Sequence, residues 1–191
     1  MRNGSTPARL TRRSLLAAAG LAVGAAALVG ARRTAAQEPL RIGIIGTGRI
    51  GGALARHWVN AGHEVLMSSR HPEELQDLAK ELGPRAHVGT PREAALFGSV
   101  VLVSVPYGAM PQLGADLADE LAGKIIIDTS NPVERRDGAQ VLEWQRKGAG
   151  PSTAELLKND RVVRAFNCIP AASLAGQANR EPERIAIPIG G

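Results

Sequence analysis

"RIGIIGTGRIGG", residues 41–52, decides the fold. Ile42, Gly43, Ile44 and Ile45 run without a polar break into Gly46-x-Gly48-x-x-Gly51, after which Ile50, Leu54 and Trp58 recur at four-residue spacing. A continuous apolar strand suits burial on both faces of a sheet. The four-residue spacing marks one face of a helix, which Gly62 can close with a left-handed cap. The three glycines between them have separate duties. Gly46 permits the tight turn, Gly48 lets the backbone approach a pyrophosphate, and Gly51 lets the helix pack closely on the strand. The helix amino terminus, with its unpaired N–H groups and partial positive charge, then faces phosphate. Glycines that merely punctuate a strand-to-helix turn are the competing reading, and the flanking strand and helix argue against it.

Outward from this turn, apolar strands alternate with amphipathic helices. "HEVLMSS" is a second strand. Pro72, Glu73 and Glu74 open a helix that carries Leu75, Leu78, Ala79 and Leu82 on one side and ends at Gly83 and Pro84. A short strand over 86–88, a helix over 91–97, the strand "SVVLVSV" stopped by Pro106, a helix over 110–121 and the strand "KIIIDTS" follow. A long polar excursion from Asn131 to Gly150 reads as a loop long enough to be functional. A helix over 153–157, the strand "RVVRAFN" and a last strand in "RIAIPIGG" complete the chain. The pattern predicts an α/β, Rossmann-type, doubly wound and mostly parallel sheet in one domain, residues 37–191. Its last strand has no covering element after it, so the carboxyl-terminal end reads as cut short.

Residues 1–36 are foreign to this pattern. "TRRSLLAAAG", residues 11–20, places adjacent arginines before an uncharged stretch from Ser14 to Ala31, with small residues at Thr34 and Ala36. These are the parts of a cleavable signal peptide, with cleavage expected after Ala36. "TRRSLL" is similar to the twin-arginine consensus, departing from it at Thr11, Leu15 and Ala17, and so predicts export of a folded protein to the periplasm or cell envelope. A general secretory signal and an uncleaved anchor are the alternatives, though the run is poor in leucine for a membrane span. The leader holds six arginines and no acid; without them the net charge of +5 becomes −1. The basic character thus belongs to the leader and gives no support to nucleic-acid binding. Only five aromatic residues occur, none interleaved with basic residues. The one cysteine, Cys168, rules out an intramolecular disulfide and reads as a small buried hydrophobe, and the four histidines lack metal-ligand spacing. Membrane contact is expected only through the export signal, and a homodimer is left open.

Cofactor choice is read at the end of the second strand, where an acid would accept from a ribose 2′-hydroxyl. Here the chain has Ser68, Ser69 and Arg70. A hydroxyl and a guanidinium suit a 2′-phosphate, so NADP(H) is the expected dinucleotide. The alternative is that Arg70 faces water beside Glu73 and Glu74.

The segments "IGIIGTGRIGGALA", "SSRHPEE", "VVLVSVPYGAMPQL", "KIIIDTSNPV" and "RVVRAFNCIPAA" together resemble the NADPH-dependent reductases of the deazaflavin coenzyme F-420. Part of the pattern is similar to the amino-terminal module of the pyrroline-5-carboxylate reductase superfamily and to the NADPH-binding module of membrane ferric reductases. The resemblance implies that Gly46, Thr47, Gly48, Arg49, Ile50 and Gly51 hold the pyrophosphate, Ser69 and Arg70 the 2′-phosphate, and Val105 and Pro106 the nicotinamide side. Asn131 and Pro132 would border the same cleft. It further implies a small-molecule redox acceptor, coenzyme F-420 or a flavin. Members generally continue past "IPIGG" into a helix and strand that help form the deazaflavin pocket, and they are typically cytoplasmic; the present chain differs in both respects. Hydride passes directly between stacked rings, so the protein supplies positioning and excludes water, and no nucleophile, base and orienter constellation is found. Tyr107, Asn167 and Cys168 fall near strand ends, where contact with the second substrate is one reading and a structural role the preferred one for each. A nucleotide-binding module without turnover, for redox sensing or partner docking, is the rival from another class.

Overall fold

The computed structural model describes residues 38–178 and 180–191, so the leader and its expected cleavage site lie outside the described residues. Six strands form, β1 (Arg41–Ile45), β2 (Glu64–Ser68), β3 (Ala86–Gly89), β4 (Val100–Val103), β5 (Ile125–Asp128) and β6 (Val162–Arg164). Every pairing is parallel and the order is β3-β2-β1-β4-β5-β6. The chain thus winds outward from β1 in both directions, and the crevice at the carboxyl ends of β1 and β4 is where this topology reverses.

Alternation along the central strands divides the core. Ile45, Val101 and Val103 pack on one face with Ala94, Ala95, Tyr107, Met110, Leu117 and Leu121. Ile44 and Leu102 point to the other, among Leu54, Ala55, Val59, Val65, Met67 and Leu174. Strands with both faces covered need apolar residues at successive positions, which explains the unbroken runs read from the sequence. The helices are α1 (Arg49–Asn60), α2 (Gln76–Leu82), α3 (Pro91–Phe97), α4 (Met110–Leu121), α5 (Glu134–Asp137), α6 (Val141–Lys147), α7 (Ala149–Leu156) and α8 (Ala171–Gln177). At α3, Thr90 accepts from the Glu93 amide while the Glu93 carboxylate accepts from the Thr90 amide, a reciprocal cap with Pro91 in the first turn.

Four expectations need correction. Residues 72–75 form a 3-10 turn before α2 rather than its first turn. The excursion is largely helical: Val141 inserts fully buried from α6, and the Trp144 ring packs tilted against Tyr107 with ring centroids 5.5 Å apart. "RIAIPIGG" does not form a strand; it makes one isolated antiparallel bridge, Arg164 to Gly190, because Pro188 has no N–H to give a ladder. Between β6 and that bridge runs α8, unexpected from the sequence, which packs Leu174 onto α1. Cys168, expected to be buried, is exposed, since the chain turns outward after β6 to reach α8.

Candidate functional site

A cleft of about 970 Å³ opens at the carboxyl ends of the central strands. One wall is the turn into α1, the floor is Ser104, Val105 and Pro106 after β4, and the far wall is built from the ends of β5 and β6 with α8. Of the residues singled out in the sequence, Gly48, Arg49, Ile50, Val105, Pro106, Asn131 and Asn167 line this cleft. Gly46, Thr47 and Gly51 form the turn behind its wall, and Ser69 and Arg70 follow the end of β2. Pro132 does not line it; its carbonyl accepts from Gln145 Nε2 at 2.9 Å.

The three glycines differ in what constrains them. Gly46 has φ +96, and a Cβ there would lie 2.4 Å from the Ser104 carbonyl oxygen. A Cβ on Gly51 would lie 2.3 Å from the Gly46 carbonyl oxygen. Both are demanded by the packing of the turn on the strands. Gly48 has φ −84, which any residue adopts, and a Cβ there meets nothing within 4 Å. The protein's own packing gives no reason for glycine at 48; an open approach to the first turn of α1 does. No carboxylate occupies that turn, and Arg49 stands at its start, a placement the helix dipole disfavours unless an anion is present. The turn is anchored from behind: the Gly46 and Thr47 amides donate to the Ser68 carbonyl at 3.1 and 2.9 Å, the Thr47 hydroxyl donates to the same oxygen at 3.1 Å, and buried Ser68 donates to the Ile44 carbonyl at 2.8 Å.

Beyond β2, the Ser69 hydroxyl accepts from the His71 amide at 3.0 Å. Arg70 is exposed, and among the described residues it forms no ion pair; His71 Nδ1 lies 3.4 Å from a Glu73 carboxylate oxygen. Arg70 thus faces water, a placement compatible both with the 2′-phosphate expectation and with its alternative.

The far wall rests on a buried carboxylate. Asp128, fully buried at the end of β5, accepts from Arg164 Nη1 at 2.6 Å, from the Thr153 hydroxyl at 2.9 Å and from the Ser130 amide at 2.8 Å, with the Ser130 hydroxyl closer still. Tyr107, buried like Asp128, donates to the Ala149 carbonyl at 2.8 Å and lies 3.0 Å from the Thr153 hydroxyl, and burial raises its phenol above the ordinary range. Tyr107 is thus a buttress rather than a substrate contact. Arg164 Nη2 continues the network to the Ser130 carbonyl and Asn131 Oδ1, and Asn131 Nδ2 donates to the Asn167 carbonyl at 2.7 Å. Phe166, at φ +62 in the left-handed region that bulky residues avoid, lines the cleft beside Asn167.

Asn167, weighed in the sequence as a second-substrate contact, lines the cleft, whereas Arg136, Phe166 and the α8 residues Ala171, Ala172 and Ala175 are cleft residues that sequence reading did not assign to the site. The length of the 131–150 excursion was the signal for Arg136; a four-residue helix after a strand end leaves no periodicity to show it. Arg136 is locked to Asp137, whose side chain is almost wholly buried. Hydrogen bonds from that guanidinium and from the Val133 and Gly108 amides outweigh burial and hold the Asp137 carboxyl down at about 2. A folded-state value below the ordinary 3.8 means stabilisation that is present above 3.8 and lost as pH falls through about 2. Asp137→Asn is expected to cost ~2 kcal/mol at neutral pH. Urea unfolding at several pH values should show the gap to wild type closing towards pH 2.

A family model described as "NADP oxidoreductase coenzyme F420-dependent" matches residues 41–132. The F420-dependent NADP reductase of Methanothermobacter thermautotrophicus is 30% identical over 148 residues, 71% of this chain and 64% of that protein. The metalloreductase STEAP3 of Rattus norvegicus is 35% identical over 138 residues, 72% of this chain and 26% of that protein. The chain thus spans about a quarter of the metalloreductase and under two thirds of the archaeal reductase. Among solved structures, a putative F420-dependent NADP reductase from Arthrobacter sp. FB24 superposes with a TM-score of 0.62 at 23% identity, covering 74% of this chain and 69% of that one. A pyrroline-5-carboxylate reductase from Coxiella burnetii gives 0.53 at 17%, covering 71% and 46%. These two establish the Rossmann-type fold. The sequence match runs from β1 past the end of β5, so residues 41–132 are similar to the coenzyme F420-dependent NADP oxidoreductases.

Proposed function

We propose that the chain is an NADP(H)-binding oxidoreductase domain that passes hydride between nicotinamide and a deazaflavin or flavin-like acceptor. The supporting observation is Gly48, whose missing side chain leaves the start of α1 open to the cleft where the fold itself would accept a larger residue. The bound dinucleotide would supply the hydride. Gly48, Arg49 and Ile50 would hold its pyrophosphate, Ser69 and Arg70 its 2′-phosphate, and Val105, Pro106 and Asn131 would border the nicotinamide. The protein's part is to place two flat rings in contact and keep water from between them. The family-model match over residues 41–132 and the similarity to an F420-dependent NADP reductase support this reading.

Titration of the purified protein with NADPH and NADH tests it: NADPH should bind more tightly, and tighter binding of NADH would sink the cofactor assignment. Arg70→Ala is expected to weaken NADPH roughly tenfold or more while hardly changing NADH, the scale of one charge-assisted bond to phosphate. Stopped-flow mixing of the NADPH complex with F-420 or a flavin should then show loss of nicotinamide absorbance. A complex that binds NADPH but shows no acceptor-dependent loss would instead be a nucleotide-binding module without turnover.

Export by the twin-arginine route belongs to the same proposal, because that route passes a folded domain that can already hold its dinucleotide. Arg12→Lys with Arg13→Lys in the full chain should retain the protein in the cytoplasm. Continued export of that variant would point to an unfolded-chain route.

A further inference from the structure

The cleft carries a second cation to which the NADP(H) reading assigns no role. Among the described residues lining it, Arg49 and Arg136 bear charge and none is acidic. Arg49 adjoins Gly48 at the start of α1, on the pyrophosphate side. Arg136 lies past the end of β5, against Asn131, and its neighbour Asp137 packs on Gly108 of the 3-10 turn Tyr107–Ala109 that follows Pro106, the side the reading gives to nicotinamide.

Its guanidinium is built in rather than draped over the surface. Nε and Nη2 donate to the two Asp137 oxygens at 2.8 Å each, and Nη2 also reaches the Asn131 carbonyl at 2.6 Å. The Asp137 side chain is 1% exposed and is itself fixed by the Val133 amide at 3.0 Å, whereas Arg136 is 47% exposed. Nη1 has no hydrogen-bond partner among the described residues. One edge of the guanidinium is thus bolted to a buried carboxylate, and the remaining amino group is unengaged in a cleft wall without acids. The conformational cost of ordering a long side chain on binding is already met. A planar fork with a spare amino group is suited to an oxyanion.

We propose that Arg136 receives an anionic group, a phosphate or carboxylate, on the second substrate, and so selects charged acceptors over neutral ones of the same ring system. This rests on the NADP(H) reading of the cleft. Asp137 offsets much of the positive charge, so selection comes from hydrogen bonds already in place more than from net field, and its scale is about tenfold.

The test uses the full chain, first titrated with NADP+ alone, which reads the nucleotide assignment by itself. Flavin mononucleotide and riboflavin, identical but for the phosphate, are then titrated with NADP+ present and absent, followed by flavin fluorescence. Flavin mononucleotide should bind about tenfold more tightly than riboflavin, and inorganic phosphate should compete with it but not with riboflavin. Arg136→Gln should erase the difference without changing NADP+ affinity, and Arg136→Lys should restore part of it. Equal binding of the two flavins by the wild-type protein, absence of flavin mononucleotide binding, or a preference that persists in Arg136→Gln would overturn the proposal. So would a parallel loss of NADP+ affinity in that variant, which would make Arg136 a dinucleotide contact. The wild-type comparison stands even where Arg136→Gln fails to fold.

Discussion

Gly48→Ala is expected to change the stability of the protein by no more than about 1 kcal/mol while weakening NADP(H) about tenfold to a hundredfold; Gly51→Ala should unfold it at markedly lower urea. The two substitutions add the same methyl group three residues apart, and they differ in what it meets. At 48 the backbone is extended and the new Cβ enters open space, so the folded state loses only the modest preference for glycine over alanine at a helix cap. A phosphate seated on the first amides of α1 would find that space filled, and overpacking a tight contact costs roughly 1–3 kcal/mol, a factor of ten for each 1.4 kcal/mol. At 51 the Cβ would sit 2.3 Å from a backbone carbonyl and 3.3 Å from Ile44 Cγ2, and neither neighbour is the free end of a flexible side chain. The helix must lift from β1, disturbing the core on that face. Thermal melts and NADPH titrations of both variants check the contrast. Undiminished NADPH binding by Gly48→Ala would remove the pyrophosphate from this turn.

The same contrast shows what a sequence makes legible. Gly46, Gly48 and Gly51 could be read because each glycine duty leaves a fixed offset between a strand and a helix, and the unbroken apolar strands could be read because both sheet faces are buried. The helices over 91–97 and 110–121 were legible from their prolines and apolar spacing, and both form with those bounds. The far wall was not legible for a different physical reason. Asp128, Ser130, Asn131, Thr153 and Arg164 meet through contacts 25 to 36 residues apart in sequence, apart from the local Asp128–Ser130 pair, and no local periodicity encodes which polar residues will share a buried carboxylate. Helix α8 was hidden because "AASLAGQ" has one buried anchor, Leu174, in seven residues. Its existence depends on α1 offering a partner surface, which only the fold reveals.

Arg164→Met should be among the most damaging single changes to the far wall, at about 3–5 kcal/mol, because it strips the partner from a fully buried carboxylate. Asp128 would keep the Ser130 and Thr153 donors, which are neutral and cannot replace the guanidinium's charge. Adding Asp128→Asn to Arg164→Met should return a large part of the lost stability, since the amide brings no uncompensated charge into the interior. The single Asp128→Asn should fall between wild type and Arg164→Met, because its remaining arginine is 15% exposed and can still reach water. Such recovery is a coupling energy, and a double-mutant cycle in urea unfolding measures it; additive losses would mean that the pair is not the far wall's anchor. The cycle also separates stability from site geometry. Arg164 Nη2 bonds the Ser130 carbonyl and Asn131 Oδ1, so the double variant, although stabilised, still lacks the groups that hold Asn131 at the cleft. Its affinity for NADP(H) should therefore remain below wild type after its stability has largely recovered. A full return of both together would mean that the Asn131 side chain is placed by Asn167 alone, and that the arginine at 164 serves the core rather than the cleft.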